Sequence, residues 1–265
     1  MHLSETYVHP VKSCAGMALE ALDIEPRGPR HDRRWMVVEP GGRFVTGRRL
    51  PRMVLIRPRP QADGLVLAAP GMPELPIALP GPGAPRLEVE VWGDRVEAQR
   101  AGGEADRWLS RFLQHEVRLV HMDDAARRAV DPARARAGDE VSFADGYPLL
   151  LIGQASLDAL NACLAAPLPM TRFRPNLVVA GAEPHAEDRW RRIRIGGLDF
   201  EAVKPCTRCV FTTVDSAGGF FDPSGEPLAT LKTYRRGERG ITFGMNLIAR
   251  GRGTIRVGDR MEVIA

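Results

Sequence analysis

"KPCTRCVFTTVD", residues 204–215, is the stretch on which the reading of this chain turns. Cys206 and Cys209 flank Thr207 and Arg208, and a β-branched run follows that reads as a buried strand. The other two cysteines, Cys14 and Cys163, lie far off in the chain. A structural zinc site needs four ligands, and a single C-x-x-C supplies two with no second pair to complete it. A redox-active dithiol belongs at the start of a helix, whereas "VFTTV" has a strand's composition. Two packed thiols are the plainest alternative. The rest of the sequence has to decide.

The 265 residues suffice for one large domain or two modest ones with real cores. Aromatic residues make up 6%, against 27 glycines and 22 prolines, which favours many turns and short strands over a helical bundle. The formal charge is +4, and only Lys12, Lys204 and Lys232 are lysine, so 34 of 37 basic residues are arginine. Arginine is the better fork for phosphate and carboxylate, although a mild positive balance alone says little about partners. No run approaches the roughly 18 apolar residues of a membrane span. The opening "MHLSETYVHPVKSC" lacks the apolar core of a signal peptide. A soluble cytoplasmic protein with reduced thiols is expected.

Hairpin signals recur. "WMVVEPGGRFVTG" reads as strand, turn and strand. "LEVEVWGDRVEA" is expected to turn at Gly93-Asp94, "IRIGGLDFEAV" at Gly196-Gly197 and "TIRVGDRMEVI" at Gly258-Asp259. Such twisted hairpins suit barrels. Apolar residues at 105, 108, 109, 112 and 113 predict an amphipathic helix in "EADRWLSRFLQ". A second helix is expected in "QASLDALNACL", with Leu157, Leu160 and Leu164 on one face, after the buried strand "YPLLLI". "APGMPELPIALPGPGAP" reads as a loop holding a short strand, and the charged stretch 123–140 as the domain boundary.

Glycine-rich nucleotide loops, the nucleophile elbow and H-E-x-x-H are all missing, and the six histidines are scattered. Other segments could cradle an anion. "PVKSC" offers Lys12 and Ser13 after a short strand, and "HDRRW" offers Arg33 and Arg34 before another. In "RFRPN", Pro175 favours an extended residue before it, which would put Arg174 and Asn176 on one side. The first turn after Gly153, Gln154 to Ser156, presents helix N–H groups. Each of these also has an ordinary reading, as a solvated charge, a surface ion pair or a capped helix start.

In order and rough spacing, "PVKSC", "DRRW", "RFRPNLVVAG", "EDRW", "PCTRCVFTTVD", "EPLATLKTYR", "FGMNL" and "GTIRVGDRMEV" resemble the MOSC-domain proteins that carry a MOSC-type N-terminal domain. Within that group they resemble the amidoxime-reducing component and its bacterial relatives. The resemblance runs almost end to end and is most specific from Arg172 onward. It implies a mixed, β-rich α+β fold: a MOSC β-barrel-like domain with flanking helices over 123–265, and a β-barrel-like N-terminal domain over 1–122. It also implies a molybdenum cofactor, Mo-molybdopterin, whose pterin ends in a phosphate.

By the same resemblance Cys209 is the metal ligand, Arg208 stabilises negative charge beside it, and Cys206 is a packed thiol near the ligand. Lys12, Ser13 and Arg33 match positions that hold the pterin or its phosphate. Arg174, Asn176, Thr207 and Asn246 match positions at the cofactor, and Ser156 is a looser match. The implied activity is reduction of small N-hydroxylated substrates: hydroxylamines, amidoximes and N-hydroxylated bases. By this reading the chain is expected to lack the N-terminal membrane anchor and the C-terminal ferredoxin-like extension of some relatives. Electrons are therefore expected from a separate donor protein of ferredoxin, flavin or cytochrome type. A cofactor or sulfur carrier without turnover is the alternative. A nucleic-acid partner would have to use "RWRRIR" and "YRRGER", but the aromatic platforms of single-strand binders are not evident.

Overall fold

A computed structural model describes residues 1–238 and 240–265. The largest sheet is built from both ends of the chain. Its strand order is Met261–Val263, Arg192–Ile195, Leu198–Thr207, Gly240–Ala249, Leu149–Gly153, Leu177–Ala180, His2–Val8 and Met17–Leu19. Strand His2–Val8 thus lies antiparallel to Leu177–Ala180, and Leu3 and Val8 pack in one core with Leu151, Leu177 and Phe200. A smaller sheet likewise joins Gly253–Arg256 to Ala21–Glu25. The expected 122/123 boundary falls in a stretch of little regular structure, yet hydrogen bonding crosses it at both of these sheets.

The intervening residues form a four-stranded sheet (Trp35–Val38, Arg118–His121, Asp94–Arg100, Arg86–Val91) and a three-stranded one (Arg57–Gln61, Gly64–Ala68, Leu75–Ala78). Helix α1, Gly103–Leu113, buries Ala105, Trp108, Leu109, Phe112 and Leu113, the stripe its spacing predicts. Helix α2, Gln154–Asn161, buries Leu157 and Leu160, while Leu164 lies beyond its end. A third helix, α3, spans Leu228–Tyr234. None of the helices among the described residues is long and apolar enough to cross a membrane. The fold is mixed and β-rich, as expected.

Several local expectations need correction. "VFTTV" is not a strand: the strand ends at Thr207, and Val210–Thr213 is a 3-10 turn capped by Cys209. Thr212 and Thr213 turn their hydroxyls back onto the carbonyls of Cys209 and Val210, so β-branched side chains here serve a turn. Gly253–Arg256 and Met261–Val263 do not pair with each other; each joins a different sheet. The turn after Arg86–Val91 sits at Trp92–Gly93, one residue early, with both at positive φ. After Trp35–Val38 the chain returns only through an isolated bridge from Phe44 to Val38.

Candidate functional site

The strand Leu198–Thr207 delivers Cys206 and Thr207 to one wall of a cleft, and the turn after it places Arg208 and Cys209. Residues of the N-terminal half line the same cleft: Lys12, Ser13, Arg33, Thr46, Arg48 and Trp92. The two halves touch closely here. A Cβ on Gly47 would fall 2.0 Å from the Phe211 ring.

Among the described residues, four of the seven non-glycine residues at positive φ line this cleft: Ser13, Arg33, Trp92 and Arg174. That conformation costs an L-residue about 1 kcal/mol or more, and it persists only where surrounding structure enforces it. Arg174 is therefore not extended before Pro175; it caps the 3-10 turn Met170–Phe173 in the left-handed region. Arg174 and Asn176 nevertheless both reach the cleft.

The floor is a saturated network. Asp32 is buried and accepts from the His9 N–H at 2.8 Å, Asn176 Nδ2 at 3.0 Å and Arg33 Nη1 at 2.6 Å. Asn176 Oδ1 accepts from Arg33 Nη1 and from the Leu150 N–H, while its Nδ2 also reaches the Tyr7 carbonyl. Arg33 Nη2 donates to the Arg174 carbonyl at 3.1 Å. Lys12 is buried as well, donating to the Phe143 carbonyl at 2.9 Å and to the rim carboxylate Asp145 at 2.5 Å. Burial pulls the Lys12 ammonium below its ordinary range, and Asp145 partly restores it.

The charge balance of the cleft is one-sided. Lys12, Arg33, Arg48, Arg172, Arg174 and Arg208 line it, against the single carboxylate of Asp145. Arg174 is pushed down to about 10, first by burial and then by Arg33. Arg208 donates Nε to the Phe243 carbonyl at 2.9 Å and Nη1 to the Phe173 carbonyl at 3.0 Å, and its Nη2 is buried without a partner. Buried guanidinium N–H groups left unpaired are costly, so their presence at a cleft marks a place for an acceptor. Among the described residues no three His, Cys, Asp or Glu side chains converge to hold a bare metal ion.

Residues 1–116 match the MOSC N-terminal beta barrel domain, and residues 138–262 match the MOSC domain. Mitochondrial amidoxime-reducing component 1 of Mus musculus is 35% identical over 279 residues, covering 99% of this chain and 82% of that protein. The chain belongs to the amidoxime-reducing component family of MOSC-domain proteins. The Homo sapiens protein of the same name is 34% identical over 99% of this chain and 82% of its own length. The Xenopus laevis one is 33% identical over 97% and 80%.

In this family member, nine of the ten residues singled out in the sequence line the one cleft: Lys12, Ser13, Arg33, Arg174, Asn176, Thr207, Arg208, Cys209 and Asn246. Cys206 lines it too, half-buried, with burial raising its thiol above the ordinary range. Ser156 does not. Its hydroxyl donates to the buried Glu187 carboxylate at 2.8 Å and accepts from the His185 N–H at 2.8 Å. The Gly153 N–H reaches the same carboxylate at 3.1 Å. The anion at the start of α2 is the chain's own Glu187.

Arg48, Trp92, Asp145 and Arg172 are cleft residues that sequence reasoning missed. The first three come from turns and loops with no chemical motif. Arg172 stood inside the quoted "RFRPN" but carried no signal separating it from Arg174.

Proposed function

We propose that the chain binds a molybdenum cofactor in this cleft and reduces N-hydroxylated compounds, R–NHOH + 2e⁻ + 2H⁺ giving R–NH₂ + H₂O. When bound, the cofactor supplies two-electron, oxygen-accepting chemistry. The observation that carries this reading is the meeting of Cys209, on its turn, with six cationic side chains and one carboxylate in a single cleft. No multi-residue metal site is present among the described residues, so a metal held through Cys209 would bring its own ligands, as a pterin dithiolene does.

In this reading Cys209 would be the thiolate ligand, and Arg208, its neighbour in the chain and in the cleft lining, would supply positive charge beside it. Lys12, Ser13 and Arg174 hold the anionic pterin and its phosphate, with Thr207 and Asn246 bordering the group. Arg33 and Asn176, whose hydrogen bonds are largely engaged within the protein, orient Arg174 and the floor. The relatives are named for amidoxime reduction, which suits amidoximes and hydroxylamines as the substrate class here. A separate protein of ferredoxin, flavin or cytochrome type supplies the electrons.

The test is elemental analysis together with turnover. Wild-type protein should carry about one molybdenum per chain and reduce benzamidoxime with an artificial reductant, while Cys209→Ala should lose both. Molybdenum without turnover in the wild type would indicate a carrier, and equal metal in both proteins would remove Cys209 as the ligand.

A further inference from the structure

Cys209 is followed by a loop with apolar side chains in the open. Val210, its neighbour in the chain, is 47% exposed, and Phe220 and Phe221 are 56% and 37% exposed. None of the three lines the cleft. The loop is tied to the turn that holds Cys209. The Asp222 N–H donates to the Thr213 carbonyl at 2.7 Å, the Asp215 N–H to the Phe220 carbonyl at 2.8 Å, and Val214 bridges Phe221. Consecutive Cα atoms are about 3.8 Å apart, so the Val210 side chain stands within about 9 Å of the Cys209 sulfur. A protein seated on Val210 comes that close to the thiol without entering the cleft.

The N-terminal half supplies charge beside this loop. Gly47 lies against Phe211, and a Cβ on Gly219 would fall 2.9 Å from Leu55 Cδ1 and 3.2 Å from the Arg52 Cα. These contacts set Arg48 and Arg52 next to the loop. Both are exposed and form no ion pair among the described residues. Arg48 rests on the Trp92 ring at 4.4 Å and Arg52 on Phe112 at 4.8 Å. The loop's own carboxylates are committed: Asp215 to the Ala217 and Gly218 N–H groups and to Arg172, and Asp222 to Ser224. Exposed phenylalanines edged by unpaired arginines have the composition of a protein interface. The charge disfavours a second copy of this chain seated patch on patch, and it selects an acidic partner. So small a patch suits the low-area contacts of electron-transfer proteins.

Resting on the function proposed above, we infer that Val210, Phe220 and Phe221, edged by Arg48 and Arg52, are the docking surface of the electron donor, and that the donor is a small protein with an acidic rim around its redox centre. The donor gives up the two electrons that each N–OH reduction consumes. No bond is made or broken on the surface itself.

The experiment drives benzamidoxime reduction in two ways. One uses an acidic plant-type [2Fe–2S] ferredoxin, kept reduced by excess NADPH-dependent reductase. The other uses reduced methyl viologen, which needs no docking. In the wild type the ferredoxin-driven kcat/KM should fall as sodium chloride is raised, while the viologen-driven rate stays flat. Arg52→Glu and Phe220→Ser should each raise the KM for ferredoxin about tenfold, the size of a lost interface anchor. Both should leave the viologen-driven rate and the molybdenum content unchanged. Each variant serves should the other fold poorly. The inference is overturned if both variants take electrons from ferredoxin as the wild type does, or if the ferredoxin-driven rate ignores salt. It is also overturned if ferredoxin fails with the wild type while methyl viologen succeeds. Were methyl viologen to drive no reduction, the function proposed above would fall. Calorimetric binding of ferredoxin, weakened by Arg52→Glu, would then still uphold the surface, and no binding would remove it as well.

Discussion

The N-terminus of α2 and the wall of the cleft both present N–H donors away from bulk water, and they differ in what answers them. At α2, Gly153 and Ser156 reach the Glu187 carboxylate, which is itself completely buried. At the cleft, Arg172 and Arg208 keep three buried guanidinium nitrogens unanswered. The floor between the walls behaves like α2, since Asp32, Arg33 and Asn176 satisfy one another. Donor geometry alone thus does not mark a binding place. An unanswered remainder is a clue only where it borders a cleft, since Arg100 and Arg250 each also bury an unanswered Nε elsewhere.

The sharpest way to break this comparison is to unbalance the floor. Asp32→Ala removes one partner of a buried ion pair and leaves the Arg33 guanidinium, the His9 N–H and Asn176 Nδ2 short of an acceptor. Loss of one partner of such a pair costs about 3–5 kcal/mol, so the urea midpoint should fall far. A change below 1 kcal/mol would mean that the floor is as loosely answered as the walls.

Protonation offers a second and smaller lever. His121 packs against Trp35 at a tilt of 47° with ring centroids 4.5 Å apart, and its buried Nδ1 lacks a partner. Burial and then Arg34 push it down to about 4, against the opposing pull of Asp123 and Asp124. His9 is lowered in the same direction, by burial and then by Arg33 and Arg174. A histidine with a depressed folded value binds its proton in the unfolded chain first. Its contribution is complete above the unfolded value near 6.5 and declines as pH falls from there toward 4. Between pH 7 and pH 5 the His121 share should be about 2 kcal/mol, read as a drop in unfolding free energy that His121→Gln flattens. Stability that held constant across that interval would show that these rings are hydrated.

Several cleft residues stood beside local signals, but their grouping into one site came from the family resemblance. Lys12 and Ser13 follow a strand, Arg174 and Asn176 flank a proline, and Arg208 lies between two cysteines. Helix α1 was legible for the usual reason, a complete apolar stripe. The failures are equally physical. "VFTTV" has a strand's composition, but threonine hydroxyls bonding back to the chain stabilise a turn, and composition cannot see that. The "TIRVGDRMEVI" strands have hairpin spacing but find better partners in Ala21–Glu25 and Arg192–Ile195, a long-range choice. For the same reason, nothing local announces that His2–Val8 belongs in the sheet of the C-terminal half. Arg48, Trp92 and Asp145 reach the cleft only through that interleaving.

The mildest test turns on Ser156, which the family resemblance matched only loosely to a cofactor position. Ser156→Ala removes the hydroxyl that bridges Glu187 and the His185 N–H. Glu187 keeps the Gly153 N–H and the field at the start of α2, so its charge is not abandoned. The cost should be about 1.5 kcal/mol, the low end for a lost hydrogen bond to a charged group, because Glu187 keeps another donor. Molybdenum content should stay at the wild-type level, because no atom of Ser156 lines the cleft. A variant that folded normally but lost its metal would reverse the contrast drawn between the two donor sites, making the start of α2 part of the cofactor cradle and Glu187 a placeholder for a phosphate.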